Sequence, residues 1–279
     1  MDKGYQELIL QGKSSIPPDE VIALLYNLGF EGFWEKDEKV MAYMPLATFT
    51  NEIRKEVDMF CQQQGLVSEW GELPEQNWNK TWESNFNPVV IKQLCMVRAP
   101  FHQPDPRMKY DIVIEPRMSF GTGHHETTSM MIEMVMEIPI HGKNVLDMGT
   151  GTGILAILAR MMGAKRVMAV DNNIWAYENC LSNITMNNIK GIDVILGDAS
   201  FIKNKCFDII FANINRNILL SDMVFYADAL KAGGDLLISG FYSEDLKIID
   251  ENAGELGLIH EKKIQLNNWI AARYKKRTE

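Results

Sequence analysis

The sequence predicts an α/β protein, a mostly parallel sheet covered by helices on both faces, with a smaller α+β domain in front of it. A buried strand turns through three glycines into a helix at residues 145–154, and strand and helix patterns alternate from residue 144 onward. The first 73 residues follow a different element order. A chain of 279 residues is long enough for two domains with separate cores.

Tyr5 to Leu10 reads as a strand, and Pro17-Pro18-Asp19 opens a helix through Val21, Leu24, Leu25 and Leu28 that Gly29 ends. Phe30 to Trp34 and Val40 to Met44 are strand-like runs around the charged turn Glu35-Lys36-Asp37-Glu38-Lys39, which predicts a hairpin. Thr50 caps a second helix with Ile53, Val57 and Phe60 on one face and its end near Gly65, and Leu66 to Trp70 supplies the last strand. The order β-α-β-β-α-β over residues 1–73 is that of a ferredoxin-like fold. Residues 74–105 read as a linker with a helix in its first half. There Trp78, Trp82 and Phe86 recur every four residues as a packing face, while Ala99-Pro100 and Pro104-Asp105-Pro106 break the chain further on. Residues 106–279 form the larger domain, opened by a strand at Asp111 to Glu115.

Within that domain the elements are a strand from Val145 ending in Asp147, a helix from Gly153, a strand at 166–170 and a helix from Ile174 to Asn187. A strand at 192–196, a strand from Phe207 to Ala212, a helix from Asn215 to Leu230 and a strand from Asp235 to Ser239 follow. Such alternation specifies parallel strands with helical crossovers. Leu258 to Leu266 and Trp269 to Tyr274 are separated only by Asn267-Asn268, and so short a turn requires antiparallel pairing. Five parallel strands therefore end in an antiparallel hairpin.

A net charge of −9 argues against reliance on nucleic-acid phosphates, which need a basic face, and suits a basic protein partner. The basic tail Arg273, Lys275, Lys276 and Arg277 reads as a solvated terminus. Cysteines at 61, 95, 180 and 206 form no C-x-x-C pair, so neither a zinc site nor a disulfide framework is signalled. No run reaches the roughly 18 to 20 apolar residues of a membrane span, and the N-terminus lacks a signal-peptide pattern. A cytoplasmic, monomeric protein is expected.

The glycine turn Asp147-Met148-Gly149-Thr150-Gly151-Thr152-Gly153 marks a nucleotide-type cofactor site. The dinucleotide fingerprint requires glycine three residues after its second glycine, where this chain has Ile154. Asp147 at the strand tip would also repel a pyrophosphate, whereas the sulfonium and α-ammonium of S-adenosylmethionine would be attracted. Asp171, at the end of the next strand, is placed to accept hydrogen bonds from ribose hydroxyls. Asp198, after the third, is placed to accept one from the adenine amino group. Three strand tips with an acid each predict one crevice for the methyl donor.

Ser119-Phe120-Gly121-Thr122-Gly123-His124-His125-Glu126-Thr127-Thr128 reads as a glycine loop feeding a helix start, able to fold over a ligand. His124 and His125 are adjacent and no H-E-x-x-H follows, so no metal site is expected. The fourth parallel strand leaves the sheet at Asn213-Ile214-Asn215. Asn215 can cap the following helix, which frees Asn213 to hold an acceptor beside the methyl group.

The pattern Glu115-Pro116-x-x-Ser119-Phe120-Gly121-Thr122-Gly123-x-His125-x-Thr127-Thr128 is followed by Asp147-x-Gly149-x-Gly151-x-Gly153-Ile154-Leu155-Ala156-Ile157, Asp171 and Ala212-Asn213-Ile214. Together these resemble the ribosomal protein L11 methyltransferase family, from about Trp78 through the C-terminal hairpin. The family usually has Asp-Pro-Gly and Ala where this chain has Glu115-Pro116-Arg117 and Ser119, and a further Asp-containing pair where it has Asn172-Asn173. The resemblance implies a seven-stranded class I methyltransferase sheet, Rossmann-like, with the ferredoxin-like domain recognising the substrate. It implies S-adenosylmethionine as methyl donor, contacted by Thr128, Gly149, Asp171 and Asn213, with Asp147, Gly151, Gly121 and Asp198 in the same site. It further implies Phe120, Gly121 and Thr122 beside the methyl, with Asn213, Thr122 and Phe120 as the catalytic set. The expected substrate is ribosomal protein L11, free or on the ribosome, methylated on lysine side chains and its N-terminal amine. A class I methyltransferase for another protein or a small molecule is the alternative, and a non-catalytic S-adenosylmethionine-binding, ribosome-associated module a further one.

Overall fold

In the computed structural model, residues 4–12, 16–36, 39–74, 87–116, 121 and 123–278 are described. The chain divides into two compact units, Met1–Asn85 and Phe86–Glu279.

In the first unit β1 (Gly4–Gln11) lies between β3 (Lys39–Pro45) and β4 (Val67–Pro74), antiparallel to both. β2 (Gly32–Lys36) pairs with β3, so the order is β2-β3-β1-β4. The period of two sends Leu8, Leu10, Ala42 and Met44 to one face, where α1 (Pro18–Asn27) and α2 (Asn51–Gln64) add Val21, Leu25, Val57 and Cys61. Phe30, expected to begin a strand, instead fills this core from the turn before β2. The Thr50 side chain accepts the Ile53 N–H at 3.3 Å and starts α2.

The second unit opens with a sheet whose third strand lies where one was expected and whose first two fall in the stretch read as a linker. β5 (Val89–Ile91), β6 (Cys95–Arg98) and β7 (Tyr110–Val113) bury Ile91, Cys95, Met96, Val97 and Ile112. Residues 89–99 are therefore packed structure joined to the larger unit. Arg98 clamps Asp111 with two hydrogen bonds of 2.8 and 3.0 Å across β6 and β7. The expected helix with Trp78, Trp82 and Phe86 lies outside the described residues.

The main sheet has seven strands. They are β8 (Asn144–Met148), β9 (Arg166–Asp171), β10 (Ile192–Leu196), β11 (Phe207–Asn213), β12 (Leu230–Tyr242), β13 (Leu258–Leu266) and β14 (Trp269–Lys276). Their order is β10-β9-β8-β11-β12-β14-β13; the first five are parallel and β14 is antiparallel to both neighbours. Alternate strand residues enter different cores. Val145, Ile209 and Phe211 pack with α3 (Glu126–Met136), α4 (Ile154–Met161) and α5 (Ile174–Met186). Leu146, Ile210 and Ala212 pack with α6 (Arg216–Ala229) and α7 (Leu246–Glu255) on the other side. No helix among the described residues is long and apolar enough to cross a membrane. In this topology the order reverses beside β8, and the carboxyl ends of β8, β9 and β11 open onto a crevice.

Candidate active site

At the tip of β8 the chain turns through Gly149, Thr150 and Gly151 into α4. The N–H groups of Gly149 and Thr150 donate to the Val170 carbonyl at 2.8 and 3.0 Å, which ties the turn to β9. Asp171 completes it: its Oδ2 accepts the Gly151 N–H at 2.9 Å and its Oδ1 the Asn173 N–H at 3.0 Å. Each carboxylate oxygen can accept two hydrogen bonds, so Asp171 retains capacity for a diol.

Across the crevice Asn213, Ile214 and Asn215 leave β11. The Ile214 N–H donates to Ser239 at 3.1 Å, and Asn215 caps α6 by accepting the Asn217 N–H at 2.9 Å. Asn213 does neither. Its Oδ1 is buried and has no hydrogen-bond partner among the described residues. A buried acceptor without a donor costs about 1–3 kcal/mol, so it has the character of a site waiting for an N–H or O–H. Gly240 backs the loop at φ +96°, where a Cβ would lie 2.1 Å from the Ile214 carbonyl oxygen. The start of α3 and the start of β14 supply the third side. His125 caps α3, its Nδ1 2.8 Å from Thr127 Oγ1, and its ring meets Trp269 edge-on at 4.9 Å. Trp269 in turn lies 4.1 Å from the Tyr242 ring.

These walls enclose a cavity of about 880 Å³, within the range of small-molecule and cofactor sites. Asp171 and Glu178 face it, and among the described residues its lining includes no lysine or arginine. A cationic ligand without phosphate matches that charge; a pyrophosphate does not.

Gly149, Gly151, Asp171 and Asn213 thus line one cavity. Asp147 is not with them. It is 1% exposed, and its Oδ2 accepts the Thr150 hydroxyl at 2.6 Å and the Ala156 N–H at 3.2 Å. Burial pushes its carboxyl up to about 7 against those two hydrogen bonds, with a further push from Asp171. The expected surface acid at 147 is corrected to a buried brace of the glycine turn, and the attraction for a cation passes to Asp171 and Glu178. Asp198 likewise departs from its expected place toward a ligand: it is exposed, off the cavity wall, and accepts the Ser200 N–H and hydroxyl at 2.9 and 2.6 Å. Those bonds hold its carboxyl below the usual range. Thr127 lines the cavity, whereas Thr128 is fully buried and its Oγ1 has no partner among the described residues. The Gly121 carbonyl accepts the Thr152 hydroxyl at 2.6 Å, joining its loop to the glycine turn. Phe120 and Thr122 lie outside the described residues.

His125, Trp175, Gly240 and Trp269 were not foreseen as lining residues. Trp269 carried a legible signal: the hairpin turn at Asn267-Asn268 brings β14 back to the sheet edge where the parallel strands end. His124 Nε2 contacts the Asn87 carbonyl at 2.8 Å, so the adjacent histidines serve different partners. Among the described residues no three His, Cys, Asp or Glu side chains gather as a metal site.

A family model described as "Ribosomal protein L11 methyltransferase (PrmA)" matches residues 14–277. The chain belongs to the ribosomal protein L11 methyltransferase family. A family protein of that name from Porphyromonas gingivalis is 45% identical over 263 residues, covering 92% of this chain and 90% of that one. Another, from Phocaeicola vulgatus, is 44% identical over 260 residues, covering 92% of each. The crystal structure of a ribosomal protein L11 methylase from Lactobacillus delbrueckii subsp. bulgaricus superposes with a TM-score of 0.65 at 25% identity, over 69% of this chain and all of that one. Membership makes the chain an S-adenosylmethionine-dependent methyltransferase. Its residues fit that donor: a nucleoside-sized cavity, free acceptor capacity on Asp171, an unpartnered amide oxygen on Asn213 and an acidic wall.

Proposed function

We propose that the chain methylates amino groups of ribosomal protein L11, at lysine side chains and the N-terminal amine, using S-adenosylmethionine. The observation that carries the reading is the buried, unpartnered Oδ1 of Asn213 on the cavity wall. The donor supplies an electrophilic methyl on its sulfonium. Asp171 would hold the ribose and the Gly149-to-Gly151 backbone would lie along the nucleoside. Thr128, Gly121, Asp147 and Asp198 complete the proposed donor set, the last two as supports of its backbone. Asn213 Oδ1 accepts one N–H of the incoming amine, which aims the nitrogen lone pair at the methyl. A charged ammonium has no lone pair, and the ordinary pKa of lysine near 10.4 makes the neutral form scarce at pH 7. An apolar wall of Trp269 and Ile214 opposes the charged form by desolvation. Phe120 and Thr122 are proposed to act beside the methyl.

The ferredoxin-like unit would recognise the protein substrate, and a cytoplasmic monomer acting on free or ribosome-bound substrate, without reliance on nucleic-acid phosphates, is part of the same reading. Incubating the full chain with labelled donor and purified ribosomal proteins tests it. Label should appear on L11, at lysines and the N-terminus by peptide mass spectrometry; label only on other proteins or on small molecules would refute the assignment.

A further inference from the structure

Two of the groups that line the cavity come from separate parts of the chain: Asn213 from the loop between β11 and α6, and Trp269 from the start of β14. The register of β12 on β14 shifts between Ser239 and Phe241, and an irregularity of this kind re-aims the residues beyond it. Past the shift, Tyr242 and Trp269 are register partners with rings 4.1 Å apart. The next residue, Ser243, donates its N–H to the Asn268 carbonyl at 2.8 Å. Trp269 is therefore held, by ring and by backbone, to the turn at residues 242–245.

One carboxylate bonds that turn to the start of α6. Asp245, 7% exposed, accepts the Tyr242 N–H on Oδ2 at 3.1 Å and Arg216 Nη1 on Oδ1 at 2.6 Å. Arg216 is the first residue of α6, next to the capping Asn215, and its Nε and Nη2 donate to Asn217 Oδ1 at 3.0 and 2.9 Å. All three guanidinium nitrogens are engaged, which leaves the planar fork little freedom to turn. Closing the 242–245 turn needs only the Tyr242 bond. The Arg216 bond reaches 29 residues back along the chain and ties the turn to the loop that carries Asn213.

We propose that Asp245 and Arg216 are positioning residues for methyl transfer, a pair that fixes the separation between Asn213 and the Trp269 wall. This rests on the reading that Asn213 Oδ1 receives the incoming amine. Neither member of the pair lines the cavity, so both act through the residues they hold. In-line attack tolerates little displacement, and an error on the order of 1 Å can cost about a hundredfold in rate. The donor side is fastened independently, because the glycine turn is bonded to Val170 and Asp171. A second buried aspartate supplies the comparison: Asp235, also 7% exposed, accepts Arg273 Nε at 2.9 Å, seven residues before Tyr242 and about 20 Å away along β12.

Asp245→Ala, Arg216→Ala, their double variant and Asp235→Ala, all in the full chain, test the pair. The kcat for methylation of L11 should fall about tenfold or more in each single variant of the pair. The double variant should lose no more than the worse single one, because the two side chains act as a unit. Arg216→Lys, which keeps the charge and loses the fork, should fall between parent and Arg216→Ala. The Kd for S-adenosylhomocysteine by calorimetry should stay within about twofold, and the near-UV circular dichroism change in Asp245→Ala should resemble that of Trp269→Phe. Asp235→Ala should lower melting temperature at least as much and keep kcat. Arg216 is half exposed, so Arg216→Ala decides the matter should Asp245→Ala fail to fold. A kcat that falls in step with melting temperature in every variant, Asp235→Ala included, overturns the proposal. So does an unchanged kcat in the double variant while Asn213→Ala is impaired, which leaves the reading of Asn213 intact. An Asn213→Ala variant with the parent's kcat overturns both.

Discussion

Two loops face each other across the donor crevice and obtain their shapes by opposite means. The turn after β8 is made by backbone: Gly149 and Gly151 have φ of +69° and +55°, and the carbonyl of Val170 and the carboxylate of Asp171 hold the N–H groups they present. The loop after β11 is made by side chains, with Asn215 closing α6 and Asn213 left with an unfilled acceptor. One side is a fully bonded cradle; the other retains an unsatisfied group. Binding shape and reactive polarity are thereby separated, so damage to each should be read in a different measurement.

The largest effect is expected behind the β11 loop, at Gly240 of β12. A Cβ on Gly240 would meet the Ile214 carbonyl at 2.1 Å, a backbone contact that no side-chain rotation relieves, at a φ unfavourable to any other residue. Gly240→Ala should displace the Asn213 loop and remove methyl transfer altogether, with a clear loss of melting temperature. Gly149→Ala places its Cβ 2.2 Å from Ile214 Cγ2 at φ +69°, where the obstacle is a side-chain methyl. Its activity should be reduced yet detectable, and donor affinity, measured by calorimetry, should fall more than melting temperature. Equal behaviour of the two variants would remove the distinction between a backbone and a side-chain obstruction.

Next in size is Asn213→Ala. Without the acceptor, the amine loses its alignment but the donor keeps the cradle, so kcat should drop on the order of a hundredfold while donor Kd stays within about twofold. Asp171→Asn should give the reverse split. Asn offers the Gly151 and Asn173 N–H groups a weaker acceptor and the ribose a poorer one, raising donor Kd about tenfold or more with a smaller effect on saturated kcat. Stopped-flow binding beside single-turnover transfer separates these outcomes. A common loss in both constants for both variants would mean that the loops do not divide the work.

What could be read from the sequence follows the same division. Glycine identity and spacing specify backbone shape, so the turn, its donor wall and the alternating sheet were legible, and the two-residue Asn267-Asn268 turn announced the antiparallel end. Side-chain direction is set by partners. Asp147 turns inward because Thr150 and the Ala156 N–H, three and nine residues on, offer hydrogen bonds there. Asp198 caps Ser200 by equally local chemistry. His125 and Trp269 meet over a separation of 144 residues that no local pattern encodes. β7 lies where a strand was expected at Asp111 to Glu115, but β5 and β6 escaped notice because three- and four-residue strands show almost no periodicity, and the prolines after β6 resemble a linker. α7 does carry Leu246, Ile249 and Ala253 at spacings of three and four, and is legible in retrospect.

The smallest effect concerns Asp147 and is a matter of stability rather than turnover. In the unfolded chain its carboxyl ionises near the ordinary value of 3.8, while burial in the native turn pushes it up to about 7. Below about pH 4 the group is neutral in both states and contributes no penalty. As pH rises, the unfolded state releases its proton first, so native stability falls progressively until the folded group also ionises near 7, and then levels. The full swing is on the order of a few kcal/mol. Asp147→Asn keeps an acceptor for Thr150 and Ala156 and cannot ionise. Its melting temperature should therefore gain on the parent's between pH 5 and pH 8, by several degrees, whatever its absolute stability. A difference between parent and variant that is constant across that range would show that the buried carboxyl is not what the turn is built around.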